Sequence, residues 1–351
     1  MDKAERKDTA QHALVYVGIA VTVVIVLVLL WYAIDVVLLA FIGVLLAILL
    51  RAPADWLTQR FGMRERWSLA LVLCVAAALL VAVVALFGRG ILAQSLQLVD
   101  RLPEIIEAFK QQLGESELGS RVVGLAESSG FFAGGDGQFI GRGLGLIGST
   151  FGAIANVLIV IFFAVFMATQ PRPYVEGFLF LVPRRHRERA REVLQEIGNV
   201  LRRWLVGQSL LAACVALLTG VGLMLLGAPF AIALGLFAGL MEFVPYIGPF
   251  AAALPALLVG FAESPELALK IGLLFLAIQM LESYVLAPLI QHKAVYLPPA
   301  AILFAQVLMG AIVGALGVAV ATPLAAAVMV AVSMLYVEDA LGDKNAKLKA
   351  S

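Results

Sequence analysis

Two glutamates border or interrupt long apolar stretches, and they are the side chains best suited to carry chemistry. Glu242 closes one apolar stretch, whereas Glu282 lies inside another and shares a helix face with Gln279, three residues earlier. Charged groups at membrane depth are costly and commonly mark the path of a substrate or an ion. We therefore predict that these three side chains line such a path. Glu282 should have a partner there, which is a lysine such as Lys270 or Lys293, a backbone amide or a proton. The alternative is that both glutamates lie at the membrane surface, in water.

The segment that starts at Glu242, here called the broken segment (Glu242–Pro249), cannot continue a helix. Pro245 and Pro249 lack the backbone N–H that a helix uses, and the residues before them avoid helical dihedral angles. Non-helical backbone survives at membrane depth only inside protein or beside a water-filled cavity, and transporters commonly build substrate sites from such breaks. Pro245, Gly248 and Pro249 are therefore predicted to belong to the same path. A plain loop at the membrane surface is the alternative.

The last long apolar stretch, Ala300–Val337, contains further polar groups. Gln306 and the pair Thr322-Pro323 are predicted to line the path as well, and the pair is expected to break the stretch together with three glycines. Those glycines would also let two helices approach closely, and packing is the interpretation we favour for them. They are Gly310, Gly314 and Gly317.

The elements that must position these residues are membrane-spanning helices. Of the 351 residues, 62% are hydrophobic and only 14% are charged, and the mean hydropathy is +1.00. A soluble domain carries about 25% charged residues, so this chain has too few polar residues to cover a surface that faces water. Because each span needs about 20 apolar residues, an all-α polytopic membrane protein with about eight transmembrane helices is predicted.

The spans are expected to be regular in the first half of the chain and broken or re-entrant in the second. The stretch Leu205–Met241 is too long for one span and should divide at Gly227–Pro229. Pro288 should bend or end the helix that carries Glu282. The spans predicted before residue 205 are Ala13–Ile34, Val36–Leu50 with its extension Ala52–Leu57, Ser68–Gly88 and Leu146–Thr169.

Five regions and an orientation follow from the order of the spans and the placement of charge. Basic residues concentrate in the loops near 51–66 and 172–203, whereas acidic residues outnumber basic ones in 89–145. The positive-inside rule therefore places both termini in the cytoplasm. The regions are the N-terminal hairpin with the third span (1–88), an external amphipathic segment (89–145), the fourth span with a cytoplasmic arginine-rich amphipathic helix (146–204), a C-terminal transport core (205–337) and a cytoplasmic tail (338–351).

Apolar residues recur at helical spacing through residues 187–204, opposite a row of arginines. This pattern predicts a helix on the cytoplasmic face of the membrane. Anionic lipid is a suitable partner for its basic side chains, and a solvated face that serves only as an orientation signal is the alternative. The candidate residues for contact with lipid are Arg187, Arg191, Arg202 and Trp204.

Motifs of the common enzyme classes are absent from the sequence. It contains no G-x-x-x-x-G-K-[ST] phosphate-binding loop and no H-E-x-x-H zinc motif. The three histidines lie in loops or near the ends of spans, and the two cysteines lie in apolar runs, where they are expected to act as small buried hydrophobes. We therefore expect no enzymatic activity, no metal and no cofactor. The net charge of +1 gives no reason to expect a nucleic-acid partner.

Four stretches of the chain carry a family resemblance: Gln170–Tyr174 with Leu181–Pro183 and the helix up to Trp204, the broken segment, Leu281–Pro288, and Leu308–Leu324. They resemble the autoinducer-2 exporter family of bacterial membrane proteins, also called PerM-like permeases. The resemblance covers nearly the whole chain and is most specific in its second half. One departure is Tyr296-Leu297-Pro298-Pro299, which stands where the family has a histidine-proline step, so no role is carried over to a histidine there.

The resemblance implies a transporter of the bacterial inner membrane that exports a small polar solute, either autoinducer-2 or a related quorum-sensing signal. It also implies a homo-oligomer, for which a pentamer is expected. Some members of the family are linked to sodium–proton antiport, so an antiporter of sodium or lithium is one alternative. A structural or regulatory membrane protein that transports nothing is another.

Overall fold

The computed structural model describes residues 33–78, 81, 150–291 and 298–343. Regular structure in these ranges is helical throughout, and they contain no strand. The chain is an all-α polytopic membrane protein, as its composition predicts. Most of the first predicted span, the predicted external segment and Lys293 lie outside the described residues.

Eleven described helices are numbered here in chain order. One short 3-10 turn and two π-helical turns lie between or after them, at Arg184–His186, Glu282–Leu286 and Ser333–Glu338. The helices are α1 (Ile34–Phe61), α2 (65–78), α3 (Thr150–Thr169), α4 (Pro171–Phe180), α5 (Arg187–Leu225), α6 (Ala231–Met241), α7 (Ile247–Glu263), α8 (Pro265–Leu281), α9 (Ala287–Gln291), α10 (Pro299–Val313) and α11 (Ala315–Val332).

Among the described residues, 4 helical stretches are long and apolar enough to cross a membrane by themselves. A fifth span results if α3 and α4, which meet at 89°, are counted together. Helices α6, α7 and α10 are apolar but shorter, and they are the broken segments expected in the C-terminal half. The four stretches are Ile34–Phe61, Arg184–Leu225, Pro265–Ile290 and Ala315–Glu338.

The stretch Leu205–Met241 divides where the sequence predicts. Helix α5 ends at Leu225, Gly227 has a φ of 69°, and α6 begins at Ala231. A residue without a Cβ adopts such a φ at little cost. The expected surface helix is not a separate element, because nothing between Arg187 and Leu225 interrupts helical hydrogen bonding and the 39 residues form one helix. Its length of about 58 Å exceeds the ~30 Å hydrocarbon core, so its arginine-rich start extends beyond that core.

The predicted break at Thr322-Pro323 is wrong. Pro323 lies inside α11. The stretch breaks at Gly314, one of the three glycines predicted to break it, whose φ of 77° and ψ of −147° separate α10 from α11. A proline is tolerated inside a membrane helix when neighbouring groups satisfy the freed backbone. The expected close approach is confirmed, because a Cβ on Gly317 would overlap the carbonyl of Met309 across the α10–α11 turn.

The four helices around the predicted site, α5 to α8, meet in one apolar cluster formed by Val215, Ala238, Ala252 and Ile278. The distance between α5 and α6 depends on two glycines that face each other. A Cβ added to Gly235 would lie 2.5 Å from the Cα of Gly220. This backbone contact fixes where the end of α6 lies against α5, and the end of α6 carries Glu242.

Substituting Gly235→Ala should destabilise the protein, because the new methyl group meets rigid backbone on α5 and overpacking of this kind costs about 1–3 kcal/mol. The measurement is the melting temperature of the detergent-purified protein, followed by loss of the monodisperse chromatographic peak. The control is Gly198→Ala on α5, where an added Cβ meets nothing within 4 Å among the described residues. Equal melting temperatures for the two variants would contradict the packing described here.

Candidate functional site

The site begins with Glu242, which directly follows the last residue of α6. Its N–H still completes the last turn by donating to the carbonyl of Ala238, whereas Pro245 lacks the N–H that further turns would require. The residue is only 3% exposed. A carboxyl group buried to this extent needs a polar partner, because its transfer out of water is otherwise very costly.

The partner that Glu242 has is a second carboxyl group. The carboxyl groups of Glu242 and Glu282 lie close together at the same cavity, although 40 positions separate them in the sequence. Two carboxylates that lie close together repel each other, so a proton shared between them would stabilise this arrangement. We refer to Glu242 and Glu282 as the carboxyl pair.

The lysines predicted as partners of Glu282 do not contact it among the described residues. Lys270 forms an ion pair with Glu266, one helical turn earlier, with an N–O distance of 2.7 Å. Lys293 lies outside the described residues. The prediction for Lys270 was wrong because its side chain extends toward the exposed start of α8, where Glu266 lies, rather than toward the middle of the bundle.

Two glutamine amides contact the carboxyl pair. The Nε2 of Gln279 donates to an Oε of Glu282 over 3.4 Å, which confirms that these residues share a face. From α5, the Nε2 of Gln208 donates to the backbone carbonyl of Glu242 and lies 3.5 Å from its Oε1. Gln279 on α8 thus contacts Glu282, and Gln208 on α5 contacts Glu242.

Gln208 was missed by the sequence analysis, as was Thr219 on the same helix. Both lie in a stretch read only as an apolar span. Their separation of 11 residues is close to three helical turns, so both side chains lie on one face of α5. Two polar residues on one face of an apolar helix are the signal that would have identified them.

A cavity of about 20 Å³ lies beside the carboxyl pair. This volume holds about one water molecule. The hydroxyl of Thr219 is buried there and has no hydrogen-bond partner in the described part of the chain. The cavity is lined by Val215, Thr219, Ala238, Glu242, Pro249, Ala252, Phe275, Ile278, Gln279 and Glu282.

Backbone groups of the broken segment are satisfied from inside the protein. The Nε2 of Gln306 on α10 donates to the carbonyl of Pro245 over 2.8 Å, and Tyr246 adopts a φ of 67° immediately before α7. Gly248 packs against the end of α6, where a Cβ would overlap the carbonyl of Met241. Protein therefore surrounds the two ends of the break, where Glu242 and Gly248 are buried, whereas Tyr246 and Ile247 between them are exposed.

A π-helical turn, Glu282–Leu286, carries the second carboxyl group of the pair. Its wider hydrogen bond runs from the N–H of Ala287 to the carbonyl of Glu282. Pro288 follows in α9, so the helix changes its form before this proline instead of ending there. π-Helical turns inside α-helices occur frequently at functional sites.

The remaining predicted residues lie away from the cavity. Thr322 and Pro323 are buried in α11, and the hydroxyl of Thr322 has no partner among the described residues. Trp204 is packed in an apolar cluster together with side chains of α1 and α11. Arg202 forms an ion pair with Asp55 over 2.8 Å and thereby fastens α5 to α1.

The sequence profile of the AI-2E family transporters matches residues 19–336. This chain belongs to the AI-2E transporter family. It is 27% identical to YueF of Bacillus subtilis, a protein named for a proposed role in transport, over 52% of this chain and 50% of YueF. A protein of Thermotoga maritima named in the same way is 30% identical over 48% of this chain and 52% of its own length.

The alignment with a third relative covers a larger share of both chains. A Synechocystis protein, also named for a proposed transport role, is 24% identical over 86% of this chain and 76% of its own. In the first two alignments the chain spans about half the length of its relatives. The names of all three relatives describe a proposed role in transport.

Replacing Gln306 by leucine should loosen the broken segment, because the carbonyl of Pro245 loses its donor from α10. We expect a loss of about 1 kcal/mol of stability, the usual contribution of one hydrogen bond. The melting temperature of the purified protein measures it. Gln195→Leu, at an exposed position on α5, is the matched control, and identical melting temperatures for both variants would contradict the role assigned to Gln306.

Proposed function

We propose that this AI-2E transporter is a secondary transporter that exports a small polar solute past the carboxyl pair. The observation that carries the proposal is that Glu242 and Glu282 line one cavity beside the helix break between α6 and α7, with Glu242 only 3% exposed. Neither carboxyl group has a basic partner among the described residues, so the arrangement is a poor means of stabilising a fold. It is well suited to exchanging a proton or a cation.

The carboxyl pair could couple the release of a proton to the movement of a solute. The proton that the two carboxyl groups share stabilises their contact while the cavity is small. A solute with hydrogen-bond donors could replace that contact by binding both carboxyl groups and the amides of Gln208 and Gln279. Release of the shared proton to one side of the membrane would then accompany movement of the solute to the other.

The finer proposal for the substrate is autoinducer-2 or a related polar signal, which would place the protein in quorum sensing. The cavity of about 20 Å³ holds only one water molecule, so passage of such a solute requires α6 and α7 to move away from α8. The broken segment and the π-helical turn are the two places where these helices depart from regular hydrogen bonding. Both are suitable hinges.

A second candidate is antiport of sodium or lithium against protons, and the size of the cavity favours it. Small hard cations prefer oxygen ligands, and carboxyl and hydroxyl oxygens line the cavity. Everted vesicles with a pH-sensitive dye would test this function. Recovery of dye fluorescence on adding sodium or lithium, lost in Glu282→Gln, supports antiport, whereas no recovery with the native protein excludes it under those conditions.

For location and assembly we propose the bacterial cytoplasmic membrane, with both termini in the cytoplasm, and a homo-oligomer, with a pentamer as the expected form. The basic residues of the loops support this orientation. Assembly is supported by the sparse internal packing of the stretch Pro265–Ile290, because only 6% of its apolar 18-residue window is buried among the described residues. Lipid or a neighbouring copy would have to cover the rest.

Substitutions Glu242→Gln and Glu282→Gln should each reduce transport to the background of empty liposomes, because an amide keeps the shape but cannot exchange a proton. The measurement is solute flux in proteoliposomes at matched protein content, with chromatographic elution confirming assembly. Glu263→Gln, at an exposed position at the end of α7, is the control and should transport normally.

Flux at the native rate in both site variants would show that the carboxyl pair is not on the path. Failure of the native protein to move any candidate solute or ion in tight liposomes would instead favour a structural or regulatory role.

A further inference from the structure

A second cavity, of about 180 Å³, lies where α4 meets the start of α5, away from the carboxyl pair. Its position relative to the membrane follows from the turn before α4. Helix α4 meets the spanning helix α3 at 89°, so α4 lies along the membrane surface when α3 crosses the membrane. The cavity is therefore at the level of the lipid headgroups. Its lining residues are Glu176, Leu179, Phe180, Arg187 and Arg191.

One wall of this cavity is a guanidinium group held in place by the loop before α5. The Nε of Arg187 donates to the carbonyl of Val182 over 3.0 Å, and its Nη2 donates to the carbonyl of Phe180 over 3.2 Å. The same guanidinium lies 5.1 Å from the centre of the Phe180 ring. These contacts orient Arg187, and its Nη1 has no partner within the part of the chain that the structure describes.

Two other charged side chains in the cavity are unpaired. Neither Arg191 nor Glu176 forms an ion pair or a hydrogen bond within the described residues, and they do not pair with each other although they line the same cavity. An occupant that carries an anionic and a cationic group would satisfy both. A simple anion would satisfy Arg191 but would be repelled by the carboxylate of Glu176.

An apolar rim adjoins the charged cavity. Phe180, the last residue of α4, is 72% exposed, and Leu181, in the turn that follows, is 83% exposed. Large apolar side chains at such exposure beside arginines are typical of a surface that faces both the headgroups and the upper acyl chains of a bilayer. The cavity thus combines an anion-binding wall, a cation-binding wall and an apolar edge.

We propose that this cavity binds the headgroup of a phospholipid with a primary ammonium group, phosphatidylethanolamine. Its phosphate would bind Arg187 and Arg191, since guanidinium groups match phosphate oxygens in geometry and charge. Its ammonium group would donate hydrogen bonds to Glu176, and its acyl chains would cover Phe180 and Leu181. A choline headgroup has the same charges but no N–H to donate.

The test is native mass spectrometry of the full-length purified protein, titrated with phosphatidylethanolamine, phosphatidylcholine and phosphatidylglycerol that have identical acyl chains. We expect phosphatidylethanolamine to bind most tightly. Arg191→Gln should weaken that binding about tenfold through the loss of a charge-assisted hydrogen bond. Glu176→Gln should remove the preference for ethanolamine over choline. Arg184→Gln, a nearby arginine that does not line the cavity, should leave binding unchanged.

Equal binding of the three lipids by the native protein would overturn the proposal without any variant. Tighter binding of phosphatidylglycerol would also overturn it, because that result describes a general anion site. So would unchanged binding in Arg191→Gln. Both varied side chains are exposed and unpaired among the described residues, so the variants should fold normally. A thermal melt of each variant checks this.

Discussion

Backbone groups in a membrane must find hydrogen-bond partners within the protein, and the break between α6 and α7 is where this requirement is hardest to meet. Its prolines prevent a continuous helix. Side chains from distant helices supply the missing contacts: Gln208 from α5 donates to the carbonyl of Glu242, and Gln306 from α10 donates to the carbonyl of Pro245. Hydrogen bonds to the break thus connect α5 and α10 to the segment between α6 and α7.

The carboxyl pair is a consequence of this arrangement. Once the glycine contact between α5 and α6 fixes the end of α6, Glu242 faces α8, where a π-helical turn presents Glu282. No basic side chain among the described residues neutralises either group, and a water-sized cavity lies beside them. A shared proton can stabilise such a pair, and so can a bound cation or solute. A transporter that couples two movements needs a site that can hold either a proton or the cation or solute that replaces it.

How much of the site the sequence predicts depends on the range of the interaction. The break after Glu242 and the common face of Gln279 and Glu282 were predictable, because proline chemistry and helical spacing are local. The contact between the two glutamates was not, since it depends on how α6 and α7 pack against α8. Pro323 shows that a local signal can also mislead. Its chemistry predicted a break, but the surrounding helices keep α11 continuous.

The central claim, that the cavity beside the carboxyl pair lies on a path open in turn to each side of the membrane, is tested most directly by cysteine accessibility. Ile278 lines the cavity and would be replaced by cysteine in a chain whose native Cys74 and Cys214 are alanine. A membrane-impermeant thiol reagent should modify Ile278→Cys in both right-side-out and everted vesicles, but should not modify Val259→Cys, which is buried in another apolar cluster. Protection of Ile278→Cys from both sides, or modification from one side only, would contradict the account.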